Sequence, residues 1–331
     1  MPGRLLRRSG DEIVVAGQLF HTGTRVVLWC DPGGFDAYRV ERRFAPWKEA
    51  DWEHSLTNLD EPRTPNRYSV RENGLSSAEL ERVRGGGWDL ASLRKKVDLF
   101  VIHFDAAGTS RGCFKALQDE RDLSTHFLLD LDGTIYQTLD VKERARHTKT
   151  VNDRSVGVEL ANVGAYTVTE KNPFGRWYRT NSAGETVITI PGNWAGAERT
   201  PNFEGRPARR QAVTGEVQGE EMRQYDFTPE QYRALARLTA ALCTVLPGIR
   251  CEYPRDESGK LADRTLRDAQ LKEYHGVLGH YQCQADKRDP GPALQWDYVI
   301  GEARRLMRLP ALERDAEGRP MAAAARLIED N

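Results

Sequence analysis

Residues 98–103, Asp98-Leu99-Phe100-Val101-Ile102-His103, decide the fold. Leu99 to Ile102 form a continuous apolar run, the pattern of a strand buried on both faces. His103 closes that strand at the rim of a sheet, where α/β folds place their sites.

Working outward, residues 155–160 read as another buried strand, and residues 127–131 and 134–138 as two strands joined through Asp132-Gly133, a strong hairpin signal. Residues 113–119 predict a short helix. Thr228, Pro229 and Gln231 supply the N-cap, first-position proline and capping-box partner of a helix. Leu235, Leu238, Leu242 and Val245 follow at helical spacing, and Pro247-Gly248 stops them. A further helix follows Pro292 and runs toward Leu309, with Leu294, Val299, Ile300 and Ala303 among charges. Strands interleaved with helices predict an α/β fold, a central mixed β-sheet flanked by helices.

The flanks differ in character. Residues 12–43 are rich in Val, Leu, Phe and Trp with glycine punctuation, which suits a small β-rich N-terminal extension. Residues 48–84 are polar, carry Pro62 and Pro65, include a short helical stretch at 76–83, and lead into Gly85-Gly86-Gly87. The expected organisation is an extension and connector over 1–97, a catalytic domain over 98–309 with an insertion at 164–226, and a polar tail over 310–331.

The 331 residues are 39% hydrophobic, enough for a packed core, and 48 Lys and Arg against 49 Asp and Glu give no net field that favours nucleic acid or an anionic membrane. Five scattered cysteines, without a CxxC pair, predict reduced thiols with at most one bridge. Near the start, Arg4, Arg7 and Arg8 are followed by Gly10, Asp11 and Glu12, which interrupt any run of signal-peptide length, and no apolar run is long enough to span a bilayer. The expectation is a cytoplasmic protein, the alternative being delivery to a cell wall by a non-standard or phage-type route.

Seven histidines raise the question of which meet around a metal. His103 stands at a strand end. His280 lies in a Gly-flanked loop that also carries Lys287 and Asp289 before the next helix. Two imidazoles and one carboxylate leave a tetrahedral zinc ion with an open position, the composition of a catalytic site. Glu159, a carboxylate among apolar strand residues, needs either a partner or a chemical role. Cys283, between His280 and Asp289, is the competing zinc ligand by chemistry alone. His275 lacks the Gly-His context, and His21 and His54 lie in the extension.

Five segments carry a resemblance: VIHFDAAGTS from residue 101, STHFLLDLDGTIYQTLD from 124, ARHTKTVNDRSVGVEL from 145, DFTPEQYRALARL from 226 and GHYQCQADKRDPGPALQW from 279. In order and chemistry the chain resembles the type 2 N-acetylmuramoyl-L-alanine amidases, which share a fold with peptidoglycan-recognition proteins. The resemblance implies a Zn2+ enzyme with His103, His280 and Asp289 as ligands, Lys287 on the oxyanion and Glu159 as general base, acting on peptidoglycan or muropeptides. It also implies a structural role for His126 and places His147 and Asn152 at the substrate groove. Thr125 stands where phage-type members place a tyrosine, and Phe104 and Arg146 depart from the common pattern. The competing readings are a non-catalytic peptidoglycan-binding module and a zinc hydrolase of another amide, the latter suggested by Trp177, Tyr178 and Trp194 in the insertion.

Overall fold

The structure, a computed structural model, describes residues 2–51, 53, 65–192, 199–256 and 258–308. His54, Trp194, Pro62 and the 310–331 tail lie outside the described residues.

The centre is a six-stranded sheet. Its order is Gly276–Gly279, Leu99–Phe104, Ser155–Leu160, Phe127–Leu129, Ile135–Gln137 and Val26–Leu28. Only the hairpin pair Phe127–Leu129 with Ile135–Gln137 is antiparallel, so the sheet is mixed. Leu99 to Ile102 are each 0% exposed, as a strand covered on both faces requires.

The period-two alternation of a strand sorts the side chains. Phe100, Ile102, Val156 and Val158 join Leu235, Leu238, Leu242, Val299 and Ile300 in one core cluster, under the helices Pro229–Val245 and Trp296–Met307. The first of these helices is capped as its sequence predicts: the Thr228 side chain accepts from the Gln231 N–H, and the Gln231 side chain reaches back to the cap. Each of its three fully buried leucines contributes about 1.5–3 kcal/mol by leaving water. On the opposite face, Leu128, Tyr136 and Val27 pack against Cys113, Phe114 and Leu117, from the helix Ser110–Lys115 and the π-helical turn Ala116–Glu120 that extends it. Residues 99, 101 and 103 face this second side, and so do 155, 157 and 159.

The N-terminal residues form the short strands their sequence suggests, Glu12–Val15 and Gln18–His21, paired antiparallel. Val26–Leu28 goes further and pairs parallel with Ile135–Gln137 as an edge of the central sheet. All three of its side chains are buried, and Ile13 and Val15 reach the main core. Arg71, from the stretch expected as a connector, is also fully buried and donates to the carbonyls of Val141, Asn152, Asp153 and Ser155.

The 164–226 stretch holds more regular structure than its composition suggests. Thr186–Ile188 pairs with Tyr178–Thr180, while Val213–Val217 and Glu220–Gln224 form a hairpin joined by Tyr166–Thr167. Trp177 and Tyr178 are buried in a cluster with Val163, against which Phe174 and Tyr225 pack, and the Tyr178 ring stacks 3.8 Å from Tyr225. The Trp177 ring also closes on Gly108, in the loop that follows Leu99–Phe104, where a Cβ would lie 2.4 Å from it. All five cysteines are free, and among the described residues no helix is long and apolar enough to cross a membrane.

Candidate metal centre

Sheet register assembles the site. Gly279 pairs with Ile102, so the next residue on each strand, His280 and His103, emerge side by side at the carboxyl ends of parallel neighbours. His103 in turn pairs with Glu159 on the following strand. Three chemical groups thus stand level on adjacent strands at one end of the sheet, where α/β folds gather their sites.

Asp289 arrives from the loop after His280. The Tyr281 N–H donates to the Asp289 carbonyl at 3.0 Å, and Pro290 packs so close to Gly279 that a Cβ there would lie 2.5 Å from its ring. The insertion holds the same loop from outside. Gln224, 0% exposed, donates to the Pro290 carbonyl at 3.0 Å and accepts from the Ala293 N–H at 3.0 Å. Gln218 donates to the Tyr281 carbonyl at 2.8 Å, and Arg288 pairs with Glu170 at 2.8 Å.

Three donor atoms converge. His103 Nδ1 lies 3.1 Å from His280 Nδ1 and 2.8 Å from Asp289 Oδ2, and His280 Nδ1 lies 3.0 Å from the same oxygen. Tetrahedral ligands bonded to zinc at 2.0–2.1 Å stand about 3.3 Å apart, so the donor set fits that ion in type and spacing. The outer ring nitrogens have partners of the kind that metal-bound imidazoles need. With Nδ1 reserved for a metal, His280 Nε2–H donates to Gln284 Oε1 at 3.3 Å. In the same way His103 Nε2–H donates to His147 Nδ1 at 3.0 Å, and His147 Nε2–H to Ser155 Oγ at 3.2 Å.

Electrostatics follow burial. Burial, reinforced by the nearby His280 charge, lowers His103 to a pKa of about 4, which keeps it neutral and available as a ligand. Burial alone would raise the Asp289 carboxyl, but His280 and His103 carry it well below the usual carboxylate range. Glu159, with Oε1 4.0 Å from His103 Nδ1, is pushed well above its ordinary value by burial and then by the charges of Asp289 and Asp105. Asp105 itself rises to about 8 through burial, its Oδ2 unpaired while Oδ1 accepts from the N–H groups of Ala107, Gly108 and Asn162.

A cavity of about 200 Å3 opens on these groups. His103, His147, Glu159, His280, Lys287 and Asp289 all line it. Lys287 is one-third exposed there, its Nζ 3.7 Å from Asp286. Asp105, Arg121 and Arg146 line it too, and sequence reasoning missed all three. Asp105 and Arg146 had a signal, each lying within two residues of a histidine already singled out. An exposed arginine such as Arg121 had none.

The other candidates fall elsewhere. Asn152, expected at the groove, is 5% exposed and absent from the cavity wall. Its Oδ1 accepts from the N–H groups of His147 and Thr148, and its amide donates to the Thr148 carbonyl, so it locks its own turn. His147 does line the cavity, yet is 8% exposed and held behind His103. His126 is 0% exposed; its Nδ1 accepts from the Gly157 N–H, so Nε2–H donates to the Glu143 carbonyl. Burial, with the Arg71 charge, lowers it to about 3. His275 pairs with Asp98 at the opposite end of the sheet, and the Cys283 thiol contacts the His280 carbonyl, outside the ligand cluster. Thr125 is buried. His21 groups with Asp11 and Glu12, carboxylates already engaged by Ser9, Gly10 and Gly23.

The family model described as N-acetylmuramoyl-L-alanine amidase matches residues 93–292. None of the curated proteins matches. Similar solved structures include a selenomethionine derivative of AmpD, 18% identical, over 71% of this chain and 89% of that one, with a TM-score of 0.32. The E. coli amidase AmiD, in complex with anhydro-N-acetylmuramic acid-L-Ala-D-gamma-Glu-L-Lys, is 18% identical over 76% of this chain and 69% of its own, with a TM-score of 0.34. AmpDH3 from Pseudomonas aeruginosa is 17% identical over 70% and 71%, with a TM-score of 0.35.

Proposed function

The chain belongs to the N-acetylmuramoyl-L-alanine amidase family, and we propose that it hydrolyses the amide between the lactyl group of N-acetylmuramic acid and L-alanine with a zinc ion held by His103, His280 and Asp289. Membership makes it an amidase acting on a peptidoglycan-derived substrate; the metal, the residue roles and the substrate form belong to the proposal. The observation that carries it is the meeting of three donor atoms within 3.1 Å of one another, next to a buried glutamate on the adjoining strand.

When bound, zinc supplies Lewis acidity, which acidifies water and polarises a carbonyl. Glu159 accepts the proton of the attacking water and hands it to the alanine nitrogen as the C–N bond breaks. Burial and then the charges of Asp289 and Asp105 raise the Glu159 carboxyl, and a cation held by Asp289 would offset the second of these. Lys287, with its ammonium at the cavity wall, holds the oxyanion that forms on the lactyl carbonyl. His147 and Gln284 keep the two ligand rings in orientation. Residues 98–309 form the catalytic body in this reading, with the 164–226 stretch bracing the ligand loop.

The test is incubation with a muramyl-peptide, with and without chelation, read by mass spectrometry for a stem peptide that begins with L-alanine. Release that stops on chelation and returns with zinc is the expected result. Glu159→Gln is expected to lower turnover by about 10²–10⁴-fold while zinc remains bound. A zinc-loaded protein that binds the muramyl-peptide and never cuts it would leave a binding module in its place.

A further inference from the structure

Away from the metal centre, a cavity of about 600 Å3 lies between the N-terminal segment and the corner at residues 142–143. Trp29, Tyr38, Tyr68 and Trp88 form its aromatic wall, and Lys142 and Glu143 bring charge to its lining. The Tyr38 ring sits 5.3 Å from that of Trp29 and 5.1 Å from that of Tyr68, so these three rings are continuous. Small-ligand sites span about 300–1,000 Å3, and this cavity falls in that range.

The Tyr38 hydroxyl donates to Glu143 Oε1 at 3.3 Å, and Lys142 Nζ stands 3.8 Å from Asp140 Oδ2. A ligand rich in hydroxyls would meet both donors and acceptors in this lining. Trp88 is 7% exposed, with its indole N–H buried. Flat rings bordered by hydrogen-bonding groups suit a sugar, whose C–H face is apolar and whose edge carries hydroxyl and acetamido oxygens.

Position links this cavity to the catalytic one. Lys142 and Glu143 line the first, Arg146 and His147 line the second, and the short strand Arg144–Ala145 joins them. At roughly 3.3 Å per residue, the chain from Glu143 to His147 spans about 13 Å at most.

We propose that the aromatic cavity is a second, non-catalytic site that binds an N-acetylated glycan, the sugar strand next to the muramic acid whose stem is cut. The naming of that strand rests on the amidase reading; the binding of glycan does not.

The test is calorimetric titration of the full chain with a peptide-free probe, the hexamer of β-1,4-linked N-acetylglucosamine, beside a cleavage assay on a small muramyl-peptide. Saturable binding is expected, weakened at least tenfold by Trp29→Ala and several-fold by the near-isosteric Glu143→Gln, with cleavage of the small substrate unchanged. Should Trp29→Ala fail to fold, Glu143→Gln decides. No saturable binding by the parent protein would overturn the proposal, as would binding that neither substitution changes or that His280→Ala abolishes while Trp29→Ala does not. If the glycan binds through Trp29 and no muramyl-peptide is cut, the site stands and the amidase reading falls; if the muramyl-peptide is cut and no glycan binds, the amidase reading stands and the site falls.

Discussion

Gly157 shows how narrowly the site is built at the scale of one residue. A Cβ at that position would lie 2.6 Å from His147 Nδ1, against a ring wedged between His103 and Ser155. Gly157→Ala is therefore expected to displace His147, loosen the His103 ring and weaken zinc affinity about 10–100-fold, as losses of outer-sphere partners do, measured by competition with a chromogenic chelator. His126 gives a pH prediction. Its pKa of about 3 in the folded chain lies below the ordinary value of 6.5, so between these values the unfolded chain binds the extra proton. The stability it contributes is present above pH 6.5 and is lost as pH falls toward 3. Between pH 7 and 4.5 this amounts to about 2–3 kcal/mol, and His126→Gln should flatten that part of the acid-unfolding curve measured by circular dichroism. The residues now grouped around the donor atoms were legible because each stood out locally, His103 at the end of an apolar run and Asp289 in a Gly-His loop. Asn152 was not legible in the same way, since an asparagine that locks a turn and one that meets a ligand look alike in sequence.

Elements show where local pattern stops informing. The helix Pro229–Val245 was readable to its cap, because capping and 3.6-residue spacing are properties of one segment. The hairpin of Val213–Val217 with Glu220–Gln224 was not, since Glu220, Glu221 and Arg223 are exposed and only Val217 and Met222 mark its buried apolar face. Its turn, Gln218-Gly219 with both φ values positive, was the available sign. That hairpin matters for the ligand loop: Gln224 answers the Pro290 carbonyl and the Ala293 N–H, and both lose a partner in Gln224→Ala. The expected cost is about 1–3 kcal/mol in thermal unfolding. Zinc affinity should fall as well, and an unchanged affinity would show that the loop holds its shape unaided.

At the scale of the whole molecule, the mixed sheet was predictable in kind but not in membership. An apolar triplet such as Val26–Leu28 becomes a strand of the central sheet only through a partner more than a hundred residues away. The boundary at residue 98 follows the change in sequence character, whereas the core runs across it through Ile13, Val15 and Val26. Deleting residues 1–29 should thus lower the melting temperature and promote association through the uncovered Ile135–Gln137 edge, checked by light scattering. The ladder that sets His280, His103 and Glu159 level on adjacent strands also governs when the site can exist. His103 and His280 are 177 positions apart in the chain, and they come side by side only where the strand Gly276–Gly279 pairs with Leu99–Phe104; pairing with Ser155–Leu160 then adds Glu159. A zinc ion held as proposed would therefore meet its three ligands only on a formed sheet, so its binding would add to the stability of the native state, as a seal on a finished structure.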